Sequence, residues 1–469
     1  MPIILWTDAL VWLLVLAATG YFWICFRHEH LAGPWKEVLY SRAAVVAVIV
    51  LAGFVAVGLL DSLHFRPRLE TGDAKSPAAY AVEVQSVLDR IVGHLRARSE
   101  KTYSAPFATR LYAKEQFELP GGKIVRDYPK LRFGGAHLQD ENDRGRDIAV
   151  KSLGALAAMI AVWALIGFLG RSLARRTPKV PWRTAYGTLG ILLALAVPLF
   201  VLSGSYHVFG TDRVGQDVFY LALKSIRTSL VIGTLTTLVT LPLGIMLGIM
   251  AGYFKGRVDD VIQYLYTTLN SIPGVLLIAA AVMMMQVYIE THPELFPTAA
   301  QRADLRLLFL CVILGLTSWT GLARFLRGEA LKLTELEYIQ AAHAFGVSHL
   351  RIITRHILPN VMHIVIISLV MDFSGLVLAE AVLSYVGIGV DPSTTSFGTM
   401  INGARLEMAR DPMVWWSLAA AFLFMVTLVL MANLFADAVR DAFDPRVRIL
   451  KPLPQRREGA KKRLTIMET

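Results

Sequence analysis

Residues 337–360 read EYIQAAHAFGVSHLRIITRHILPN, a polar, helix-patterned stretch set between two long hydrophobic runs. Thr334 followed by Glu337 has the spacing of a capping box, in which a hydroxyl and a carboxylate satisfy the free amide donors at a helix start, so a short helix is expected to begin here. Tyr338, Ala341, Ala342 and Phe345 recur at helical spacing as one narrow apolar face, and Gly346 stands where a helix can end in a left-handed conformation. Ser348 is placed to cap a second helix, with Val347, Leu350, Ile353 and Ile357 as its apolar stripe and Arg351 and Arg355 four apart on another face. Pro359 then closes that helix. Two small helices bent at a glycine, with a hydrophobic knob and a basic flank, suit a surface gripped by a partner. The plainer alternative is an amphipathic connector lying on a membrane.

A membrane is what the rest of the chain demands. Hydrophobic residues make up 55% of the 469, charged residues only 18%, and the mean hydropathy is +0.51, which leaves far too much apolar surface for a soluble domain. The net charge of +11 fits cytoplasmic loops meeting anionic headgroups, and no aromatic-interleaved basic patch argues for nucleic acid. Cys25 and Cys311 both fall in hydrophobic runs, far apart in sequence, so neither a disulfide framework nor a metal cluster is indicated.

Nine runs are long enough to cross about 30 Å of hydrocarbon as helices: 9–26, 43–63, 148–169, 184–203, 230–253, 261–287, 307–325, 361–390 and 414–435. Arg171, Arg175, Arg176, Lys179 and Arg183 in one connector, and the basic tail from Arg446 on, mark the cytoplasmic side. Alternation then puts the stretch around Gly346 in the cytoplasm and residues 64–147 outside as a soluble insertion. It also puts the amino terminus outside, with the first span an uncleaved anchor. Within the insertion, residues 77–98 have helical periodicity and residues 119–135 read as loop. His137 precedes Asp147 by the interval at which His207 precedes Asp217. Chance, shared chemistry at the start of a span or a partial duplication each account for this echo.

The bent stretch resembles the EAA loop of permease subunits of binding-protein-dependent ABC importers, with Gln340, Ala341, Ala342, Gly346, Ile357, Leu358 and Pro359 on the pattern. Gln340 departs from the usual glutamate, which bears on an ion pair there and not on the element. From about Thr184 onward the chain is similar to the C-type permease of dipeptide and oligopeptide importers. The matching motifs are Gly210-Thr211-Asp212 with Gly215-Gln216-Asp217, Ala251-Gly252-Tyr253-Phe254, Ser271-Ile272-Pro273, the run from Ala379-Glu380-Ala381 through Gly389, and Arg440 to Arg446. A shorter tract, Tyr128-Pro129 with Phe133-Gly134-Gly135, is similar to the inner permease of microcin C importers.

The resemblance implies an all-α integral membrane protein: a six-span type I ABC importer permease core over residues 184–446, with the EAA loop at 334–360. Residues 1–63 add two transmembrane helices, 64–147 the external insertion, 148–183 a third extra helix and basic connector, and 447–469 a basic cytoplasmic tail. It further implies a bacterial inner-membrane location. The implied partners are a second permease, two cytoplasmic ATPases that carry ATP and Mg, an external solute-binding protein and membrane lipid. The ATPase-coupling residues would be Gln340, Ala341, Ala342, Phe345, Gly346, Val347, Leu350, Arg351, Arg355, Leu358 and Pro359.

Inside the spans, Gly244, Gly248 and Gly252 repeat every four residues and let a neighbouring helix approach closely. Asp372 and Glu380 are intramembrane acids, which by default mark a cavity or pathway, so both are candidates for the substrate path. Packing is the rival reading for Glu380. Met283, Met284 and Met285 are adaptable side chains that suit either varied solutes or plain packing. Gly121-Gly122-Lys123 lacks the spacing and hydroxyl of a phosphate-binding loop, and no HExxH, CxxC or GxSxG pattern occurs, so no cofactor, metal or catalytic site is expected on this chain. Two other classes remain in view: a proton-coupled transporter using Asp372 or Glu380, and a membrane sensor reading a ligand through the insertion.

Overall fold

Apolar runs that cross hydrocarbon have to close their backbone hydrogen bonds within the segment, which makes each a helix. The computed structural model describes residues 2–68, 80–118, 124–296 and 298–444, and among them nine helices are long and apolar enough to span a membrane. The chain opens with β1 (Pro2–Ile3), α1 (Trp6–Arg27), α2 (Glu29–Tyr40) and α3 (Arg42–Asp61). The insertion follows as β2 (His64–Phe65), β3 (Gln85–Ser86), α4 (Val87–Ile91), α5 (Gly93–Ala97), β4 (Glu115–Glu118) and β5 (Ile124–Asp127). Next come α6 (Arg144–Arg176), α7 (Trp182–Ser203), α8 (Val218–Phe254), α9 (Gly256–Ser271), α10 (Gly274–Thr291) and α11 (Ala299–Thr334). The chain continues with α12 (Glu337–Ala344), α13 (His349–Ile352), α14 (Leu358–Val386), α15 (Phe397–Glu407) and α16 (Trp416–Phe443). β1, β2 and β3 form one antiparallel sheet with His64 opposite Ile3 and Ser86, and β4 pairs with β5 as a hairpin.

The bundle is organised around α8, whose 37 residues extend about 55 Å. One end of α8 meets the insertion and the other meets residues 337–360. Its main partner is α11, and the contact is close because of the four-residue glycine repeat. A Cβ on Gly248 would lie 2.7 Å from the Ala323 carbonyl oxygen, and one on Gly252 would lie 2.6 Å from that of Arg327. α14 packs on α8 and α16. The extra span α3 is built into this bundle rather than set beside it, contacting α7 on one side and α8 and α16 on others, while α6 packs on α7. Gly53 of α3 faces Leu192 of α7 and its Gly58 faces Leu230 of α8.

Polar contacts seal the same seam. Lys224 of α8 bonds Asp61 of α3 at 2.6 Å and lies 3.2 Å from Asp89 of α4, to which Tyr220 also donates at 2.8 Å. One turn on, Arg227 donates to Asp8 of α1 at 2.6 Å and to the Thr7 hydroxyl at 2.9 Å. Thr7 in turn bonds Asp304 of α11 through its amide at 3.2 Å and through its hydroxyl. Asp8 is completed by His64 at 2.6 Å.

Several expected boundaries are corrected. Residues 261–287 are not one span: α9 and α10 are separate helices, because Pro273 has no amide hydrogen and holds Ile272 extended at φ −91°, ψ 131°. α8 starts at Val218 rather than 230, where Asp217 caps it by accepting the Phe219 amide at 2.8 Å. α11 runs from Ala299 to Thr334, well beyond 307–325 at both ends. α14 ends at Val386 because Gly387, at φ 88°, takes the left-handed capping conformation. Arg171, Arg175 and Arg176 belong to α6, which continues past the expected span and shortens the connector.

The insertion also differs from expectation. The helix expected over 77–98 is confined to α4 and α5, started by a reciprocal Ser86–Asp89 capping box. The stretch 119–135 contains β5, although residues 119–123 lie outside the described ones, as does the tail 447–469. The histidine echo is local chemistry: His137 Nε2 meets Asp147 and His207 Nδ1 meets Asp217, both at 2.8 Å. Each histidine holds an aspartate at a helix start, but through different ring nitrogens, so no duplicated geometry is required.

Candidate functional site

The bend between α12 and α13 is built by a helix-ending motif. Gly346 sits at φ 71°, its amide donates to the His343 carbonyl at 3.0 Å, and the Val347 amide reaches back to Ala342 at 3.1 Å. These two bonds satisfy carbonyls left free at the end of α12 and turn the chain sharply. A side chain with a Cβ is disfavoured at this φ, although the space beyond Gly346 is open.

The start of α12 is not the expected capping box. Thr334 is the last residue of α11 and its hydroxyl donates to the Leu331 carbonyl at 2.8 Å, so Leu336 takes the capping position without a side-chain bond. Ser348 does occupy the position before α13, again with no side-chain bond to the helix. Pro359 does not close the second helix. A π turn over Ile353–Ile357 joins α13 to α14, and Pro359 lies in the first turn of α14, where its missing amide hydrogen is tolerated.

The apolar stripes divide differently from the sequence reading. Ile339, Ile352 and Ile357 are fully buried with Ile249, Leu326 and Val361, while Ala342 and Val347 are packed against them. Phe345 and Leu350, on either side of the bend, point away and are 86% and 73% exposed. Tyr338, Ala341, Arg351, Arg355 and Pro359 are exposed as well, and Leu358 is half-buried. Gln340 is exposed with its side-chain amide donating to the Glu335 carbonyl at 3.3 Å. The structure thus brings the named residues together as a rigid, anchored bend presenting two large apolar side chains and two arginines.

Sequence reasoning missed what clamps the bend from beneath. The Tyr253 hydroxyl, at the end of α8, lies 3.0 Å from His343 Nε2 and 2.8 Å from His349 Nδ1. The tyrosine ring stacks on His343 at 16° between planes, with centroids 5.6 Å apart. The signal was present: the two histidines stand three residues before and three after Gly346. Nearby, Arg327 of α11 grips Asp259 of α9 with two bonds of 2.6 Å and holds that carboxyl below its usual range, and Lys255 meets Glu335 at 2.5 Å.

The intramembrane acids are in different surroundings. Glu380 is 1% exposed and receives the Ser384 and Ser396 hydroxyls at 2.6 and 2.8 Å on Oε1, which ties α14 to the cap of α15. Gly398 lies so close that an added Cβ would be 3.1 Å from that carboxylate oxygen. Asp372 is exposed on α14, with no side-chain partner among the described residues. Met283 and Met284 are exposed on α10, and Met285 is half-buried.

At the opposite end of the bundle the insertion is latched to the core. Glu100 accepts the amides of Arg132, Phe133 and Gly134 at 2.9, 2.8 and 3.2 Å. It lies 3.4 Å from His207 Nε2, an ion contact rather than an aligned hydrogen bond. His207 is bonded on its other side to Asp217. Burial opposes the charge on the ring, but the two carboxylates outweigh it and raise His207 to about 9. Burial likewise opposes the Glu100 charge, yet His207 and the three amides lower it to about 2. Gly210 and Gly215, at φ 71° and 76°, let the core loop accept the insertion, with the Gly215 carbonyl taking the Glu100 amide at 2.9 Å.

Comparison with known proteins covers the half of the chain that holds the bend. Residues 244–449 match the family described as binding-protein-dependent transport system inner membrane component. The chain is 31% identical over 248 residues to the oligopeptide transport system permease protein of Mycobacterium bovis, spanning 53% of this chain and 79% of that one. It is 29% identical to the dipeptide transport system permease protein of Bacillus subtilis over 52% of this chain and 69% of that one. It is also 32% identical to the glutathione transport system permease protein of Pectobacterium atrosepticum, over 52% and 74%. A solved inward-facing MetNI methionine ABC transporter aligns with 48% of this chain and 98% of its own at 15% identity and a TM-score of 0.35, too low to carry an argument.

Proposed function

The chain belongs to the family of binding-protein-dependent transport system inner membrane components, and from that premise we propose that it is a permease subunit moving peptides or peptide-like solutes across a bacterial inner membrane. The proton-coupled transporter and the membrane sensor are not favoured. In this reading the chain pairs with a second permease, two cytoplasmic ATPases that hold ATP and Mg, and an external solute-binding protein. It carries no catalytic site of its own. The carboxyl terminus and the Gly346 bend face the cytoplasm, while the insertion and amino terminus face outward.

The observation that supports this most directly is the bend itself, where Phe345 and Leu350 are exposed while Ile339, Ile352 and Ile357 anchor it in the core. Large apolar side chains held rigidly out of a surface are what a partner's pocket engages. The bend also has no slack on either side. α12 follows α11 after a two-residue turn, and α13 runs through the π turn into α14. A push on Phe345 and Leu350 by closing ATPases is therefore delivered to α11 and α14 together, and through α11 to α8. Alternating access then follows as a choice between two packings of these helices, biased by the ATPases. Among the intramembrane acids, exposed Asp372 is the better placed to meet solute, and Glu380 serves the α14–α15 joint.

Gly346→Trp tests the docking. The variant forces a Cβ into a left-handed backbone, and it should lose ATPase co-purification or uncouple hydrolysis from uptake by about tenfold or more. Unchanged co-purification together with unchanged transport would defeat the role given to the bend.

A further inference from the structure

We propose that Tyr253 is the positioning residue of the coupling bend, its hydroxyl joining the two helices on either side of Gly346 into one rigid body and tying that body to the end of α8. The inference rests on the permease reading above and adds a component that no docking contact supplies. Phe345 and Leu350 are where a partner would push; the hydroxyl decides whether the push turns the bend or moves α8.

The geometry is specific. His343 lies in the last turn of α12 and His349 opens α13, so each ring reports the direction of one arm of the bend. A phenol has one hydrogen to donate and lone pairs to accept. With bonds at 3.0 Å to Nε2 of His343 and 2.8 Å to Nδ1 of His349, it can donate to one imidazole and accept from the other. Both bonds form only at one angle between the arms. The centroids of the His343 and His349 rings are themselves 5.4 Å apart, so the two arms also meet ring to ring beside the hydroxyl. Tyr253 is in turn held firmly. It is buried, and Gly252 beside it is seated on the α11 backbone at the Arg327 carbonyl. Displacement of the bend therefore reaches α8 through a hydrogen-bonded joint as well as through the apolar contacts of Ile339 and Ile352.

Tyr253→Phe keeps the ring and removes the hydroxyl. In the complete complex it should leave ATPase co-purification intact, because Phe345 and Leu350 are untouched. It should lower solute moved per ATP hydrolysed by about fivefold, the factor that one net hydrogen bond represents. The histidine variants separate positioning from packing. Gln at 343 can turn its amide oxygen or nitrogen toward the place of Nε2, and Asn at 349 can do the same near Nδ1, so each can accept or donate as the hydroxyl requires. His343→Gln and His349→Asn should therefore retain coupling, while His343→Phe and His349→Leu lose it to the same degree as Tyr253→Phe. Both histidines are exposed, so these substitutions do not put the fold at stake. Wild-type coupling in Tyr253→Phe, or equal coupling in the polar and apolar histidine variants, overturns the inference while leaving the permease reading in place. Failure of the wild-type chain to associate with any ATPase overturns the permease reading itself.

Discussion

His207 carries its charge between Asp217 and Glu100 in a setting that shields all three from water, and this gives the latch a defined pH window. The histidine is raised from 6.5 to about 9, so the stability it contributes is complete below pH 6.5 and is lost as pH rises through 9. Glu100 is lowered from 4.5 to about 2, so its contribution is complete above pH 4.5 and is lost as pH falls through 2. Breaking a buried pair by removing one partner costs about 3–5 kcal/mol. His207→Gln should therefore melt below the wild type by the widest margin between pH 4.5 and 6.5, with the margin shrinking as pH approaches 9. A margin that does not change with pH would show that the ring acts by shape alone. The His207–Asp217 interval was visible in the sequence, but Glu100 was not, because it is brought to His207 only by folding. The bend at Gly346 was legible, since a glycine following a short helical pattern has few other uses.

Helices were easier to recognise than their ends. Hydrophobic length placed nine spans because the bilayer sets that length, but the ends depend on polar residues whose partners are distant. The expected span began at 230 because Lys224 and Arg227 interrupt the apolar run before it; their partners Asp61 and Asp8 come from other helices. The capping box at Thr334 failed for a related reason, because α11 has enough packing against α8 to run on through that threonine. The glycine repeat on α8 was read correctly as a packing face, and its partner is α11. Gly248→Leu should drive the two helices apart, at about 1–3 kcal/mol for forced overpacking and more if the backbone cannot yield. The expected result is loss of folded protein in detergent, whereas Gly375→Ala, where an added Cβ meets nothing within 4 Å, should be recovered normally. Equal yields from both would mean that the α8–α11 contact does not limit folding.

For the molecule as a whole, the proposed orientation separates the latch and the bend by the thickness of the membrane. Cys25 and Cys311 are buried, so a single introduced cysteine is a clean reporter. Lys114→Cys, on the insertion, should react with a membrane-impermeant maleimide in intact cells, and Leu350→Cys should react only after the membrane is opened. The reverse pattern would invert the topology. The seam around Lys224 and Arg227 also bears on how the chain is made. Synthesis runs from the amino terminus, and domains fold as they emerge. Asp8, Asp61 and Asp89 leave the ribosome well before the two cations they neutralise, so when α8 reaches the bilayer its counter-charges are already waiting; only Asp304 arrives afterwards. A fragment beginning at Thr184 would present those cations to lipid with no acid from α1, α3 or α4 to receive them. The amino-terminal helices thus act as a template laid down in time for the helix that follows.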